Sequence, residues 1–136
     1  MDNRTLNGLI WNVRGMSDKE KIDFIKECVS KYMLDFIGIQ ETIKQEFSPN
    51  FLSGIGGDME FNWTWNPARG KSGGILVGIN KNSFDILEKE QGEYFIRTLL
   101  SNKKDGFCCY LVIVYGDAQP AGKPKFLVEL VHTINK

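Results

Sequence analysis

The chain has 136 residues, 42% of them hydrophobic and 25% charged, which is the composition of an ordinary folded protein and excludes a disordered chain. A chain of this length forms one domain and buries a core of its own. Seventeen basic residues balance 17 acidic ones, which excludes the overall positive charge typical of non-specific nucleic-acid binding. Any nucleic acid would therefore be held by a local patch.

The first residues, the longest apolar run and the cysteines argue against a secreted, membrane-spanning or disulfide-rich protein. The first residues, MDNRTLNG, lack a secretory signal pattern, and the longest apolar run, YLVIVY, is too short to span a bilayer. We therefore expect an intracellular protein. Cys28, Cys108 and Cys109 are odd in number and lack CxxC spacing. We interpret them as core thiols.

The first 40 residues follow a strand, helix, strand pattern. Residues 5–13 read as a strand, and Ser17 with Glu20 three residues later has the spacing of a helix capping box. Apolar residues then recur at helical intervals and predict an amphipathic helix over 18–32. A second strand follows at 34–40. Two apolar strands joined by a helix of this length predict a βαβ crossover with parallel strands.

The rest of the chain reads mainly as β structure. Residues 46–60 contain Pro and several Gly without periodicity, which predicts a long loop. A β meander is expected next, and apolar residues at helical spacing after Pro124 predict a final helix that reaches Ile134. The predicted strands of the meander are 61–65, 73–79, 84–90, 93–100 and 107–115.

Three features resemble functional motifs and are better explained otherwise. The GKS triplet within 69–74 lacks the earlier glycine of a phosphate-binding loop, since position 66 is Asn66, and a strand rather than a helix follows it. The only histidine, His132, has no cysteine or second histidine near it and is interpreted as a helix-surface or interface residue rather than a metal ligand or a base. Trp63 and Trp65 could stack on bases, but they share one face of a strand, which favours core packing.

Two polar residues stand where the first two strands end. Asn12 closes the first strand, and Glu41 is the first carboxylate after the second. Ligands of parallel sheets bind beyond the carboxyl ends of the strands, so these side chains are candidates for a magnesium site. Asn12 could instead stabilise the turn through backbone bonds, and Glu41 could form an ion pair or a cap at the sheet edge.

Four segments together resemble a known superfamily. IWNVRGM, IGIQET, GKSGGILVGI and VIVYGDAQPAGKPKFLVEL occur in the order and approximate spacing of the endonuclease/exonuclease/phosphatase superfamily. The sequence is most similar to the endonuclease domain of plant LINE-type retrotransposons. The resemblance implies an α/β fold, a two-sheet sandwich flanked by helices, of which residues 1–136 would form a single truncated domain, the N-terminal half.

The resemblance also implies roles for particular residues. Asn12 would help to hold the metal and the scissile phosphate, and Glu41 would bind the catalytic Mg²⁺. Tyr115 corresponds to a tyrosine that hydrogen-bonds the phosphate, and Arg14 is a further phosphate contact. The implied reaction is hydrolysis of a DNA phosphodiester. Without the resemblance, Tyr115 would be assigned to packing at a strand end and Arg14 to the solvated surface.

The sequence also departs from this superfamily. A GDFN-like motif and a terminal Asp-His pair, which supply the water-activating Asp and the His of the phosphate site, do not occur in it. We therefore expect impaired catalysis, with two alternatives: a non-catalytic retrotransposon-derived remnant, or a phosphodiesterase acting on RNA or on a phosphorylated small molecule. Self-association through an uncovered sheet face is expected, and the resemblance implies a nuclear location.

Overall fold

The computed structural model describes residues 6–70 and 72–115, which form two helices and seven strands. The predicted C-terminal helix and His132 lie outside the described residues. The elements in chain order are β1 (Gly8–Asn12), α1 (Lys19–Tyr32), β2 (Phe36–Gln40), α2 (Pro49–Gly56), β3 (Phe61–Asn66), β4 (Ile75–Asn80), β5 (Phe84–Gln91), β6 (Phe95–Asn102) and β7 (Cys108–Val114).

The strands form two sheets. The first has the order β1-β2-β4-β3 and the second has the order β5-β6-β7. β1 and β2 are parallel, as the βαβ pattern predicted, and all other neighbours are antiparallel. The predicted single meander is wrong in one respect, because β4 lies between β2 and β3 in the first sheet and β5 starts the second.

Two apolar cores hold these layers together. One core lies between the helices and the outer face of the first sheet, and it includes Ile25 of α1 and Ile55 of α2. The other lies between the sheets, where β7 packs on β2 and β4, and β6 packs on β3 and β4. This arrangement confirms the predicted α/β architecture of two stacked sheets with helices on the outside.

The N-cap of α1 differs from the prediction, whereas the helix ends at Tyr32 as predicted. Asp18, rather than Ser17, is the N-cap, and its side chain accepts a hydrogen bond from the amide of Glu20 at 2.9 Å. Both residue types cap helices, so the sequence alone does not separate the two positions. Met33 is the C-cap that follows the helix, with φ of 51°, and it is 62% exposed.

The predicted loop at 46–60 is wrong, because α2 forms within it. Ser48 caps this helix by accepting a hydrogen bond from the Phe51 amide at 3.1 Å, and Pro49 occupies the first turn. Proline is favoured there because its missing N–H has no partner inside the helix. The glycines dominated the sequence interpretation and hid a short helix that has two buried apolar residues, Leu52 and Ile55.

Packing of the tryptophan pair agrees with the simpler interpretation. Trp63 and Trp65 both pack against the helix-side core, and Trp65 meets the ring of Phe47 edge-on at 5.4 Å.

Among the described helices, none has the length and apolar character needed to cross a membrane.

The cysteines agree only in part with the core-thiol interpretation. Cys28 is buried in the helix-side core, and burial raises the pKa of its thiol. Cys109 is half-buried, and burial also raises its pKa, because a thiolate would be poorly solvated there. Cys108 is exposed, which corrects the expectation for this residue. The alternation of the strand turns one neighbour inward and the other outward.

Truncation of a leucine in the inter-sheet core tests the fold. Leu100 is 1% exposed, so Leu100→Ala should lower the free energy of unfolding by about 2–5 kcal/mol, because it removes buried methyl groups and leaves a cavity. Leu87 on β5 is 52% exposed, and Leu87→Ala should change stability by less than about 0.5 kcal/mol. Urea denaturation of both variants measures the difference, and equal losses would contradict the assigned inter-sheet core.

Candidate functional site

Asn12 and Glu41 lie at the same edge of the first sheet. Asn12 is opposite Gln40 in the parallel β1–β2 pair, and Glu41 follows directly. The pairing continues past the strands, since the Val13 amide donates to the Gln40 carbonyl at 3.0 Å and the Gly15 amide donates to the Glu41 carbonyl at 2.8 Å. Asn12 is exposed and Glu41 is partly exposed, so a ligand in solution can reach both residues.

The backbone beside these residues adopts an uncommon conformation. Four non-glycine residues in the described part of the chain have positive φ, and three of them flank this edge. They are Arg14 at 52°, Glu41 at 55° and Ile43 at 54°. Side chains larger than glycine rarely adopt this region, and such residues concentrate at functional sites. The positive φ angles therefore indicate the same edge of the sheet as the polar residues Asn12 and Glu41, and they do so independently of those side chains.

A lysine from α1 holds the segment that follows β1. The Nζ atom of Lys21 donates to the Val13 carbonyl at 2.8 Å and lies 3.4 Å from the Gly15 carbonyl. The segment between them carries Arg14, an exposed residue two positions after Asn12. Sequence reasoning missed Lys21, because a lysine on the first turn of an amphipathic helix has no pattern that distinguishes it from a solvated residue.

Gly73 and Gly74, in the glycine-rich segment before β4, hold the two residues that follow Glu41. The amide of Thr42 donates to the Gly74 carbonyl at 3.2 Å, and the amide of Ile43 donates to the Gly73 carbonyl at 2.9 Å. Gly74 has φ of 94°, and a Cβ built there would lie 2.3 Å from the Thr42 hydroxyl oxygen. Only glycine fits this close approach. A strand, β4, follows this segment where a phosphate-binding loop of the GKS type would open a helix, and Gly73 and Gly74 instead hold the residues after Glu41.

Tyr115 reaches the same region from the second sheet. It follows β7, and its amide donates to the Tyr94 carbonyl at 2.8 Å. Its ring stands against Gly73, where a built Cβ would lie 3.5 Å from the ring carbon Cε2. Because Gly73 also pairs with Ile43, one glycine connects Tyr115 to the segment that carries Glu41.

A second link joins the two sheets at this end. The side-chain amide of Gln40 donates to the Val114 carbonyl at 2.5 Å, which ties the end of β2 to the end of β7. Asn12, Glu41 and Tyr115 are therefore gathered at one end of the sandwich, although their roles stay predictions. Sequence reasoning did not single out Gln40, because a glutamine at a strand end resembles any polar terminus.

Beside Tyr115 lies a small cleft. Its volume is about 40 Å³, and its lining includes Arg69, Ser72, Tyr94 and Tyr115. Arg69 forms an ion pair with Glu93 and its guanidinium lies 5.9 Å from the centre of the Tyr94 ring. The pairing of Arg69 with Glu93 reduces the positive charge that the cleft presents.

The oxygen donors at this edge fit one class of metal better than others. The described residues contain no group of three His, Cys, Asp or Glu side chains that could hold a metal ion. Glu41 offers one carboxylate and Asn12 one amide oxygen. Mg²⁺ takes one or two carboxylates and retains several waters, whereas structural zinc requires about four nitrogen or sulfur ligands. The two residues therefore fit a hydrated magnesium ion.

A pair of glycine substitutions tests the support of the site. Gly74→Ala should destabilise the fold by about 1–3 kcal/mol through crowding against Thr42, beyond the cost of its positive φ. Gly70, in the same segment, has φ of 60° with nothing within 4 Å of a built Cβ, so Gly70→Ala should cost only about 1–2 kcal/mol for its backbone. Thermal unfolding compares the variants, and an equal or smaller loss in Gly74→Ala would contradict the close contact.

Comparisons with known proteins give matches in structure but not in sequence. No protein-family model matches the chain, and no curated protein matches it. An endonuclease/exonuclease/phosphatase family protein from Bacteroides thetaiotaomicron superposes with a TM-score of 0.62 at 14% identity, over 94% of this chain and 58% of that one.

Two further solved structures are similar. The catalytic domain of human Nocturnin, solved with a bound sulfate anion, has a TM-score of 0.59 at 13% identity over 91% of this chain and 56% of that one. AP endonuclease from Leishmania major has a TM-score of 0.59 at 18% identity over 79% of this chain and 39% of that one. The chain thus spans less than two thirds of each, and it has part of the α/β fold of endonuclease/exonuclease/phosphatase proteins.

Proposed function

We propose that this chain carries the metal-binding part of a phosphodiesterase site, and that the reaction is Mg²⁺-dependent hydrolysis of DNA of the LINE-endonuclease type. The observation that carries the proposal is the convergence of Asn12, Glu41 and Tyr115 at one end of the sandwich, held by backbone pairing and by Gly73. The fold that the chain shares with an AP endonuclease supports the same class of chemistry.

Each residue has a chemical task in this proposal. The Glu41 carboxylate and the Asn12 amide oxygen hold the cation, and a bound Mg²⁺ offsets the negative charge that builds up on the phosphoryl oxygens. The Tyr115 hydroxyl donates a hydrogen bond to a phosphate oxygen and orients it. Arg14, an exposed residue two positions after Asn12, pairs with a neighbouring phosphate of the strand.

The proposal assigns this chain only a part of the catalytic machinery. The water-activating Asp and His of LINE-type endonucleases belong to motifs that this sequence does not contain. We therefore propose that the chain by itself binds the metal and the phosphate but hydrolyses slowly. DNA as partner, Mg²⁺ as cofactor, and a nuclear location all belong to this proposal.

One observation favours a second candidate, a non-catalytic retrotransposon-derived remnant. The described residues contain no group of three His, Cys, Asp or Glu side chains that could hold a metal ion, so Glu41 has no cluster of partners there that would also supply a general base. This candidate predicts metal binding without hydrolysis. A phosphodiesterase acting on RNA or on a phosphorylated small molecule would differ from both candidates in its substrate alone.

Neutralising Glu41 tests metal binding and hydrolysis together. Mn²⁺, as a probe for Mg²⁺, should bind the wild-type chain, and Glu41→Gln should weaken binding roughly 10- to 100-fold because it removes the only charged ligand. Water-proton relaxation measures the binding. Nicking of supercoiled plasmid in Mg²⁺ or chelator, followed on the same samples, measures hydrolysis.

The matched control is Glu46→Gln, since Glu46 is an exposed glutamate of the following loop and should leave both readouts unchanged. Binding with Mg²⁺-dependent nicking supports the endonuclease, and binding without nicking on plasmid, RNA or phosphorylated small molecules supports the remnant. Absence of Mn²⁺ binding in the folded wild-type chain would overturn the proposed site.

The tyrosine hydroxyl can be tested separately from the metal. Tyr115→Phe keeps the ring against Gly73 and removes one hydrogen-bond donor, so Mg²⁺-dependent nicking should fall roughly 100-fold while Mn²⁺ affinity stays the same. Tyr110→Phe on β7, where the ring is 51% exposed, is the matched control and should retain wild-type nicking. Equal nicking by Tyr115→Phe and wild type would assign Tyr115 to packing.

A further inference from the structure

Three consecutive carbonyl oxygens after β1 lie around a single ammonium group. They belong to Val13, Arg14 and Gly15, and the Nζ atom of Lys21 lies within 3.5 Å of all three, closest to the Val13 oxygen at 2.8 Å. An ammonium has three N–H donors and no acceptor, so these three oxygens can use all of its donors. The donors of Lys21 are therefore directed at the backbone of the turn formed by residues 13–16.

The amides of the same turn bind the segment that carries Glu41. The Gly15 amide donates to the Glu41 carbonyl at 2.8 Å, and the Met16 amide donates to the Thr42 carbonyl at 3.0 Å. The turn thus has its carbonyls on Lys21 and its amides on the Glu41 segment. A displacement of the turn would therefore move the backbone of Glu41 as well.

Two consecutive residues of the turn have positive φ. Arg14 has φ of 52° and Gly15 has φ of 105°. A non-glycine residue keeps this conformation only where its surroundings fix it. The side chains of Val13 and Met16 are buried in the helix-side core and anchor the two ends of the turn. The ammonium of Lys21 supplies the contacts of the carbonyls between those anchors.

The stability of α1 does not explain a lysine at this position. Lys21 lies in the first turn of the helix, where unpaired backbone amides give a partial positive charge. That end of a helix favours an acidic residue, such as the neighbouring Glu20, and disfavours a cation. The contacts of the ammonium with the turn therefore account for Lys21 better than the helix does.

We propose that Lys21 is a positioning residue of the candidate metal site. Its ammonium fixes the turn, and the turn holds Asn12, which precedes it directly, and Glu41, to which it is hydrogen-bonded. This role rests on the proposed function. Lys21 acts through the backbone and contacts neither the metal nor the phosphate. Its positive charge alone would repel a cation, so any gain in metal binding comes from the position of the ligands.

Lys21→Met separates the effect of position from the effect of charge. Removal of a positive charge alone would strengthen Mn²⁺ binding, whereas release of the turn should weaken it roughly 10-fold. Water-proton relaxation measures the affinity, and circular dichroism establishes that the variant is folded. The matched control is Lys26→Met, which makes the same change of charge at an exposed position of α1 and should bind Mn²⁺ no more weakly than the wild-type chain.

Chemical rescue tests whether an ammonium is the group that matters. Lys21→Ala removes three methylene groups and the ammonium, and n-propylammonium has the same length and the same three donors. Its addition should restore the Mn²⁺ affinity that Lys21→Ala loses. Tetramethylammonium at the same concentration carries the same charge without an N–H donor, and it should restore nothing.

Hydrogen exchange follows the turn without any metal. The amides of Gly15 and Met16 should exchange roughly 10-fold faster in Lys21→Met than in the wild-type chain. Unchanged exchange, or Mn²⁺ binding by Lys21→Met as tight as that of the wild type or tighter, would overturn the positioning role and leave the proposed metal site standing. Absence of Mn²⁺ binding by the folded wild-type chain would overturn the proposed function, and the positioning role with it.

Discussion

The parallel pairing of β1 with β2 is the interaction on which the rest of the structure depends. It carries Asn12 and Gln40 to the same level, and it continues as backbone hydrogen bonds into the segments that follow both strands. Since each strand ends beside its neighbour, polar groups attached to either end are close together without any contribution from the side chains. α1 makes this geometry available by crossing over the outer face of the first sheet.

Contacts between the sheets then add Tyr115 to that edge. Gln40 bonds the Val114 carbonyl across the sandwich, and Gly73 has Tyr115 on one side and Ile43 on the other. Among the described residues, the same stacking buries Ile113 of β7 and leaves Ile10 of β1 49% exposed.

Much of the local structure could be predicted from the sequence. The strands, α1 and the parallel first pair follow from hydrophobic periodicity, which reports the burial of each residue within its own element. Predictions were wrong where neighbouring residues offer competing signals of similar strength. Asp18 and Ser17 are both good N-caps, and the glycines around α2 concealed Leu52 and Ile55, whose burial depends on packing against the first sheet.

For this protein, the sequence by itself determined the strands, α1, the α/β class and the position of Asn12 and Glu41 at two strand ends. Only the tertiary structure decided that β4 and β5 belong to different sheets, that Lys21 holds the segment after β1, and that the Gly73–Gly74 pair supports Glu41. The physical reason is the separation along the chain over which each effect acts. Periodicity and capping act over a few residues, whereas strand order and the approach of a glycine to a distant side chain depend on residues far apart in the chain.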